Sequence, residues 1–164
     1  MCPREPAQDL KGAFRCLGSK RGAAAHAIGR SRGGLTTKIH AVVDALGNPV
    51  RFVITPGQWG DCPQARRLVE GLGEVGHVVA DTAYDADHFR SFVDEDLGAT
   101  AQIPSNPSRA SKLPIDEDLY RARHLVENFF LAIKRFGRIA LRCEKTASSF
   151  SAFVAIACAM KWLA

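Results

Sequence analysis

One stretch of the chain places an acid among side chains that can hold an anion. Residues 120–134 read YRARHLVENFFLAIK, and four polar residues stand there at offsets of 0, 3, 7 and 14: Tyr120, Arg123, Glu127 and Lys134. At about 100° per residue they fall on one narrow arc of an α-helix, and Arg138 falls on the same arc. Solvated, salt-bridged helix faces have similar spacing. The pattern alone leaves two alternatives: ordinary surface charge, or a carboxylate beside phosphate-binding groups.

A second acid stands where a buried strand is expected to end. Residues 78–87 read VVADTAYDAD, and Asp81 directly follows the short apolar run. Such a run is consistent with a buried strand. The alternative role for Asp81 is to cap the turn that follows.

These segments resemble one protein family. Tyr120-x2-Arg123-x3-Glu127-x6-Lys134 is similar to the Y-R-E-K signature of DDE-type bacterial insertion-sequence transposases, and segments 29–58 and 78–87 resemble the same family. The resemblance covers roughly residues 18–164. It implies an α/β fold, an RNase H-like mixed sheet flanked by helices, in which three carboxylates hold two Mg²⁺ (or Mn²⁺) ions.

The resemblance also implies roles for particular residues. Asp81 and Glu127 would be two of the three metal-binding, catalytic carboxylates. Mg²⁺ prefers hard oxygen ligands, and two such ions can promote in-line displacement at phosphorus. The implied activity is metal-dependent DNA strand cleavage and strand transfer by a homo-oligomer acting on terminal inverted repeats and target DNA. The implied DNA-binding residues are Tyr120, Arg123, Lys134 and Arg138.

The first carboxylate is where the chain departs from the family pattern. Asp9 is the acid nearest to the expected position, but Leu10 and Lys11 replace small hydroxyl residues and Phe14 replaces a histidine. The first strand is therefore expected to be degenerate or incomplete. Asp44 is better interpreted as a turn residue. Three functions stay open: a DDE transposase, with or without a separately encoded N-terminal part; an inactive remnant that only binds DNA; and an RNase H-like nuclease outside transposition.

The local patterns predict the elements that would position these residues. We expect an antiparallel hairpin over residues 35–56, long enough for two strands rich in β-branched residues. Further strands are expected at 78–80, 100–104 and 138–143. Helices are expected at 61–71, from Asp85 or Asp87 to Asp96, at 115–136, and at 149–163 after a Ser148 or Ser149 cap. The loop at 105–114 is rich in turn residues and is expected to be mobile.

Composition and charge agree with a DNA-binding domain. The 164 residues carry a net charge of +5, and an acidic middle separates basic segments at 1–40 and 119–164; such a distribution suits a polyanionic partner. The five cysteines include no C-x-x-C pair, which favours reduced thiols over a zinc site. No signal peptide or membrane span is expected, so we place the chain in the bacterial cytosol, associated with the nucleoid. We expect one domain overall, with a degenerate first strand and a basic Gly-rich loop in residues 1–34 and the catalytic domain in residues 35–164.

Overall fold

The strands form two small sheets. The computed structural model describes residues 26–31 and 34–163. An antiparallel sheet has the order β1-β2-β3, and a parallel pair is formed by β4 and β5. The strands are β1 Gly29–Ser31, β2 Gly34–Val43, β3 Pro49–Pro56, β4 His77–Val79 and β5 Thr100–Gln102. Together with the helices they confirm a mixed α/β architecture, although no ladder joins the two sheets within the described residues.

The predicted hairpin is confirmed, and Asp44 closes its turn. The Asp44 carboxylate accepts hydrogen bonds from the backbone N–H groups of Leu46 (2.9 Å) and Asn48 (2.8 Å). Gly47 has φ of 82°, a conformation that glycine adopts without steric cost. Desolvation alone would raise the pKa of Asp44, but these hydrogen bonds outweigh it and hold the pKa below its usual value. Asp44 is therefore a turn residue, as its position predicted.

The helices and strands differ from the prediction in four places. The helices are α1 Cys62–Val69, α2 Asp87–Ser91, α3 Glu117–Arg121, α4 His124–Lys134, α5 Gly137–Ala140 and α6 Ala147–Trp162. A π-helical turn, Phe92–Asp96, continues α2. The long helix expected at 115–136 is interrupted at Ala122 and Arg123. The strand expected at 138–143 is wrong, because its first residues form α5. The cap of α6 is Thr146, whose hydroxyl accepts from the N–H of Ser149, and neither Ser148 nor Ser149 holds that position. The fourth difference lies at residues 29–31, which form β1 inside the expected basic loop.

Two apolar clusters lie on opposite faces of the β2–β3 hairpin. The first is built around α1, α2, β4 and β5, and Val42 and Val53 of the hairpin pack against it. The second joins Ile39 of β2 to Phe129 and Ile133 of α4 and to the inner face of α6. Both clusters are dominated by fully buried aliphatic and aromatic side chains, so the hairpin is covered by helices on both faces.

A buried arginine fastens the start of the described chain to its C-terminal part. Arg142 is 1% exposed. Its guanidinium donates hydrogen bonds to the backbone carbonyls of His26 and Ala27 and lies 4.9 Å from the ring centre of Phe150. A buried guanidinium is tolerated where acceptors surround it. Residues 26 and 27 are thereby held by the segment between α5 and α6. None of the described helices is long and apolar enough to cross a membrane.

Candidate active site

Asp81 lies at the carboxyl end of the parallel strand pair. It follows β4 by two residues, and its Oδ1 accepts a hydrogen bond of 2.9 Å from the N–H of Ala83 in the 3₁₀ turn Thr82–Tyr84. This contact is the capping role that the sequence left open. The carboxylate is half-buried, and no other hydrogen bond to it is formed within residues 26–31 and 34–163. Asp81 is therefore placed at the sheet edge where ligands bind in open α/β sheets.

Tyr84 is half-buried in the 3₁₀ turn that follows Asp81. Burial raises the pKa of Tyr84 well above its usual range, and the negative charges of Asp61 and Asp81 raise it further. Asp61 precedes α1 but makes no side-chain capping bond to it. The Tyr84 phenol therefore stays neutral, and the negative charges of two acids, Asp61 and Asp81, both act on it.

Asp61 belongs to a polar network on the α1 face of the hairpin, which the sequence analysis missed. Lys38 Nζ donates to Asp61 Oδ1 at 2.9 Å and to the carbonyl of Trp59 at 2.8 Å. His40 lies with Nδ1 3.8 Å from the same carboxylate oxygen and Nε2 2.7 Å from Thr55 Oγ1. The alternation of Lys38 and His40 along β2 could have indicated that both face one side. The network fixes the loop that follows β3.

Asp85 has a different role from Asp81, four residues earlier. Its side chain is fully buried and accepts hydrogen bonds from Arg90 Nε (2.7 Å), Arg109 Nε (3.0 Å) and the N–H of Asn106 (2.6 Å). Burial alone would raise the pKa of Asp85, but the three donors and the charge of Arg90 lower it to about 2. Asp85 therefore ties the loop after β5 to the turn after β4, so this loop is anchored rather than free.

Glu127 lies in the first turn of α4 with Arg123 beside it. Arg123 Nη2 is 2.6 Å from Glu127 Oε1, and the Arg123 guanidinium carbon is 6.0 Å from the ring centre of Tyr120. Hydrogen bonds of the i→i+3 type at Ala122, Arg123 and Leu125 replace α-helical ones where α3 meets α4. The structure brings Tyr120, Arg123 and Glu127 together despite that interruption.

Lys134 and Arg138 are positioned separately. Lys134 is the last residue of α4, and burial lowers its pKa. Arg138 belongs to α5, where it donates to Glu144 Oε1 at 2.7 Å and lies 4.6 Å from the ring centre of Phe153. The single arc that a continuous helix would give does not extend to Arg138, because a turn separates α4 from α5.

The described residues hold part of the expected carboxylate set. They contain no group of three His, Cys, Asp or Glu side chains placed to hold a metal ion. Asp81 borders the first apolar cluster, whereas the helix of Glu127 packs into the second. Asp9 lies outside the described residues.

Comparison with known proteins identifies the class. The family model described as "Transposase DDE domain" matches residues 7–162. The chain belongs to this family, which confirms the resemblance to DDE-type insertion-sequence transposases. Among relatives, it is 60% identical over 129 residues to a Brucella ovis protein named "Putative transposase for insertion sequence element IS6501"; the aligned part covers 79% of this chain and 99% of the relative. No solved structure matches the chain.

Proposed function

We propose that the chain is the catalytic domain of an insertion-sequence transposase, which cleaves DNA at the element's ends and transfers the strands. The match to the transposase family over residues 7–162 carries this proposal. Its fold would be RNase H-like, with residues 35–164 as the catalytic domain and residues 1–34 as a degenerate first strand and basic loop. The hairpin β2–β3 followed by the parallel pair β4–β5, with Asp81 after β4, supports that assignment.

We propose Asp81 and Glu127 as two of the metal ligands and Asp9 as the third. The donor chemistry fits, because Asp81 Oδ1 and Glu127 Oε1 are engaged by the Ala83 N–H and Arg123, which leaves each carboxylate a second oxygen for a cation. Hard carboxylate oxygens are what Mg²⁺ or Mn²⁺ selects. Two bound ions would supply activation of the attacking oxygen and stabilisation of the leaving one.

The chain's own cations would hold DNA beside these carboxylates. Arg123, which pairs with Glu127 in the free chain, would bind a backbone phosphate of the DNA, with the Tyr120 ring packed against the same strand. Lys134 and Arg138 would bind phosphates further along, since phosphate contacts position a duplex without reading its sequence. The substrates would be terminal inverted repeats and target DNA, bound by a homo-oligomer in the bacterial cytosol at the nucleoid. A separately encoded N-terminal part is the further partner.

The test is metal-dependent nicking of DNA that carries the element's ends. We expect the purified chain, with any separately encoded part added, to nick this DNA with Mg²⁺ or Mn²⁺ and to be inactive with EDTA. Asp81→Asn and Glu127→Gln should each reduce the rate by roughly a hundredfold or more, because each removes a charged ligand. Asp118→Asn is the matched control, since Asp118 is an exposed acid of the neighbouring helix α3 that pairs only with Arg121 among the described residues.

Each other outcome contradicts a different part of the proposal. Retained DNA binding without cleavage under any metal condition would indicate an inactive remnant. Cleavage of any duplex or hybrid, regardless of terminal repeats, would indicate an RNase H-like nuclease. Full activity of Asp9→Asn would remove Asp9 from the site and leave the other two assignments standing.

A further inference from the structure

The outward side of the last helix, α6, is apolar along its length. At about 100° per residue, one stripe of this side contains six residues, all of them exposed: Ala152, Ala155, Ile156, Ala159, Met160 and Leu163. Leu163 directly follows the helix and keeps the helical conformation. The exposed side chains of α1, by contrast, include Arg66 and Arg67. A surface helix usually carries polar residues on its outer side, so α6 departs from that pattern.

The inner side of α6 is occupied by the core. Phe150, Val154 and Ala157 are buried in the second cluster. The only charged residue of the helix, Lys161, lies outside the exposed stripe. A helix that is apolar all round is typical of one that is covered on every side. The composition of α6 therefore indicates that a further apolar surface packs on the stripe.

The stripe is large enough for a specific contact. Ile156, Met160 and Leu163 are 57%, 50% and 88% exposed. Together with the three alanines they present roughly 500 Å² of apolar surface, which is more than half of the roughly 800 Å² that each partner contributes to a standard interface. Trp162 is also exposed and adjoins Leu163, so it can extend the contact. An area of this size suits a dimer of moderate affinity.

The order of small and large residues along the stripe fits a second copy of the same helix. Two α6 helices can pack antiparallel about a twofold axis at the level between Ala157 and Cys158. Each large residue of one copy then lies opposite an alanine of the other, in three kinds of pair: Ile156 with Ala159, Met160 with Ala155, and Leu163 with Ala152. Facing large and small residues let two surfaces interdigitate without voids. The stripe is therefore self-complementary, as a twofold contact requires.

We propose that two copies of the chain associate through this stripe, with their α6 helices antiparallel. Removal of the apolar side chains from water drives the association, and no charge of the stripe has to be desolvated. The inference rests on the proposed function in one respect: the dimer would be the homo-oligomer that acts on DNA.

The experiment is sedimentation velocity on the full-length chain, in EDTA and without DNA, over a series of protein concentrations. We expect a monomer–dimer equilibrium. Ile156→Lys should raise its dissociation constant by about tenfold or more, because the lysine places an unpaired charge in an apolar contact. Leu131→Lys is the matched control and should leave the equilibrium unaltered, since Leu131 is comparably exposed (54%) but belongs to α4.

A pair of variants tests the antiparallel arrangement itself. Ala155→Glu and Met160→Lys should each weaken the dimer when present alone. Mixed in equal amounts, they should regain the affinity of the unaltered chain, because the introduced acid and base lie opposite each other in the heterodimer. Mixing cannot restore a variant that fails to fold, so this recovery separates a lost contact from a lost fold. Absence of recovery would overturn the antiparallel arrangement.

Three other results would overturn the inference as a whole. A monomer at every concentration would exclude the dimer. A dimer that Ile156→Lys and Leu131→Lys affect equally would place the contact elsewhere. A dimer that forms only after deletion of residues 2–25 would show that the chain's own N-terminal segment covers the stripe. None of these readouts uses DNA or metal, so failure of the nicking test leaves them unaffected, and a monomeric chain leaves the candidate active site unaffected.

Discussion

At the scale of single residues, Asp85 is the carboxylate most committed to structure. Its side chain is fully buried and accepts hydrogen bonds from three donors. Two of these donors are arginines in different parts of the chain. Removing one partner of a buried ion pair leaves charges uncompensated, which costs more than the pair itself contributes. We therefore expect Asp85→Asn to lower the free energy of unfolding by about 2–3 kcal/mol, measured by urea denaturation at pH 7.

Asp87→Asn is the matched control for Asp85→Asn. Asp87 pairs with the same Arg109 at 2.6 Å, but its side chain is 84% exposed, so its loss should cost less than about 0.5 kcal/mol. Because Asp85 is deprotonated down to a pKa of about 2 in the folded chain and has a usual value of 3.8, its contribution is complete above about pH 4 and is lost as the pH falls through 2. Equal costs for the two variants would contradict this account.

Residue type and spacing predicted candidate acids for the site, but not the contacts that each acid makes in the folded chain. VVADTAYDAD contains three aspartates, and only the position after the strand distinguished Asp81. Two of the three donors to Asp85, Asn106 and Arg109, lie 21 and 24 residues later in the chain. Long-range contacts of this kind have no local pattern, for the same reason that the Lys38–Asp61 pair was missed.

At the scale of elements, the hydrophobic pattern located most helices and strands, and tertiary contacts decided the rest. RIALRC alternates like a strand, yet Ile139 is buried in the second cluster while Arg138 reaches back to the buried carboxylate of Glu144. Arg142, with φ of 41°, then turns the chain toward α6. Tertiary contacts of this sort outweigh the intrinsic helix or strand propensity of a segment.

The proposed DNA face consists of Tyr120, Arg123, Lys134 and Arg138. It can be tested at Lys134, the last residue of α4. Lys134→Ala should weaken binding of every duplex by a similar factor, because a phosphate contact carries no sequence information. The slope of log K against log salt concentration should become shallower by about one. The measurement is fluorescence anisotropy over a salt series, with Lys161→Ala in the last turn of α6 as the control of equal charge change. An unchanged slope would remove Lys134 from the DNA face.

At the scale of the whole molecule, the β2–β3 hairpin connects the two apolar clusters. The sequence predicted the order of the elements along the chain but not this central position of the hairpin. One of its faces packs on α1 and the β4–β5 pair, and the other packs on α4 and α6. The mixed α/β class followed from the alternation of strand and helix patterns. The pairing of the strands could not be predicted in the same way, because it depends on which strand edges meet when the chain folds.

The central position of the hairpin makes His40 a reporter of global stability. His40 is 4% exposed; burial lowers its pKa below the usual 6.5, Asp61 opposes that shift and Lys38 adds to it. The folded chain therefore keeps His40 neutral, while the unfolded chain takes up a proton below about pH 6.5. Stability from this source is complete above that pH and falls below it, by at most about 1.4 kcal/mol per pH unit.

Urea denaturation between pH 8 and pH 5 should show this loss in the unaltered chain and in the variant His77→Gln, which replaces an exposed histidine of β4. His40→Gln should be less stable at pH 8, since the glutamine fills the site less well, but its stability should change less between pH 8 and pH 5. A parallel decline in all three proteins would show that other groups, not His40, set the acid sensitivity of the fold.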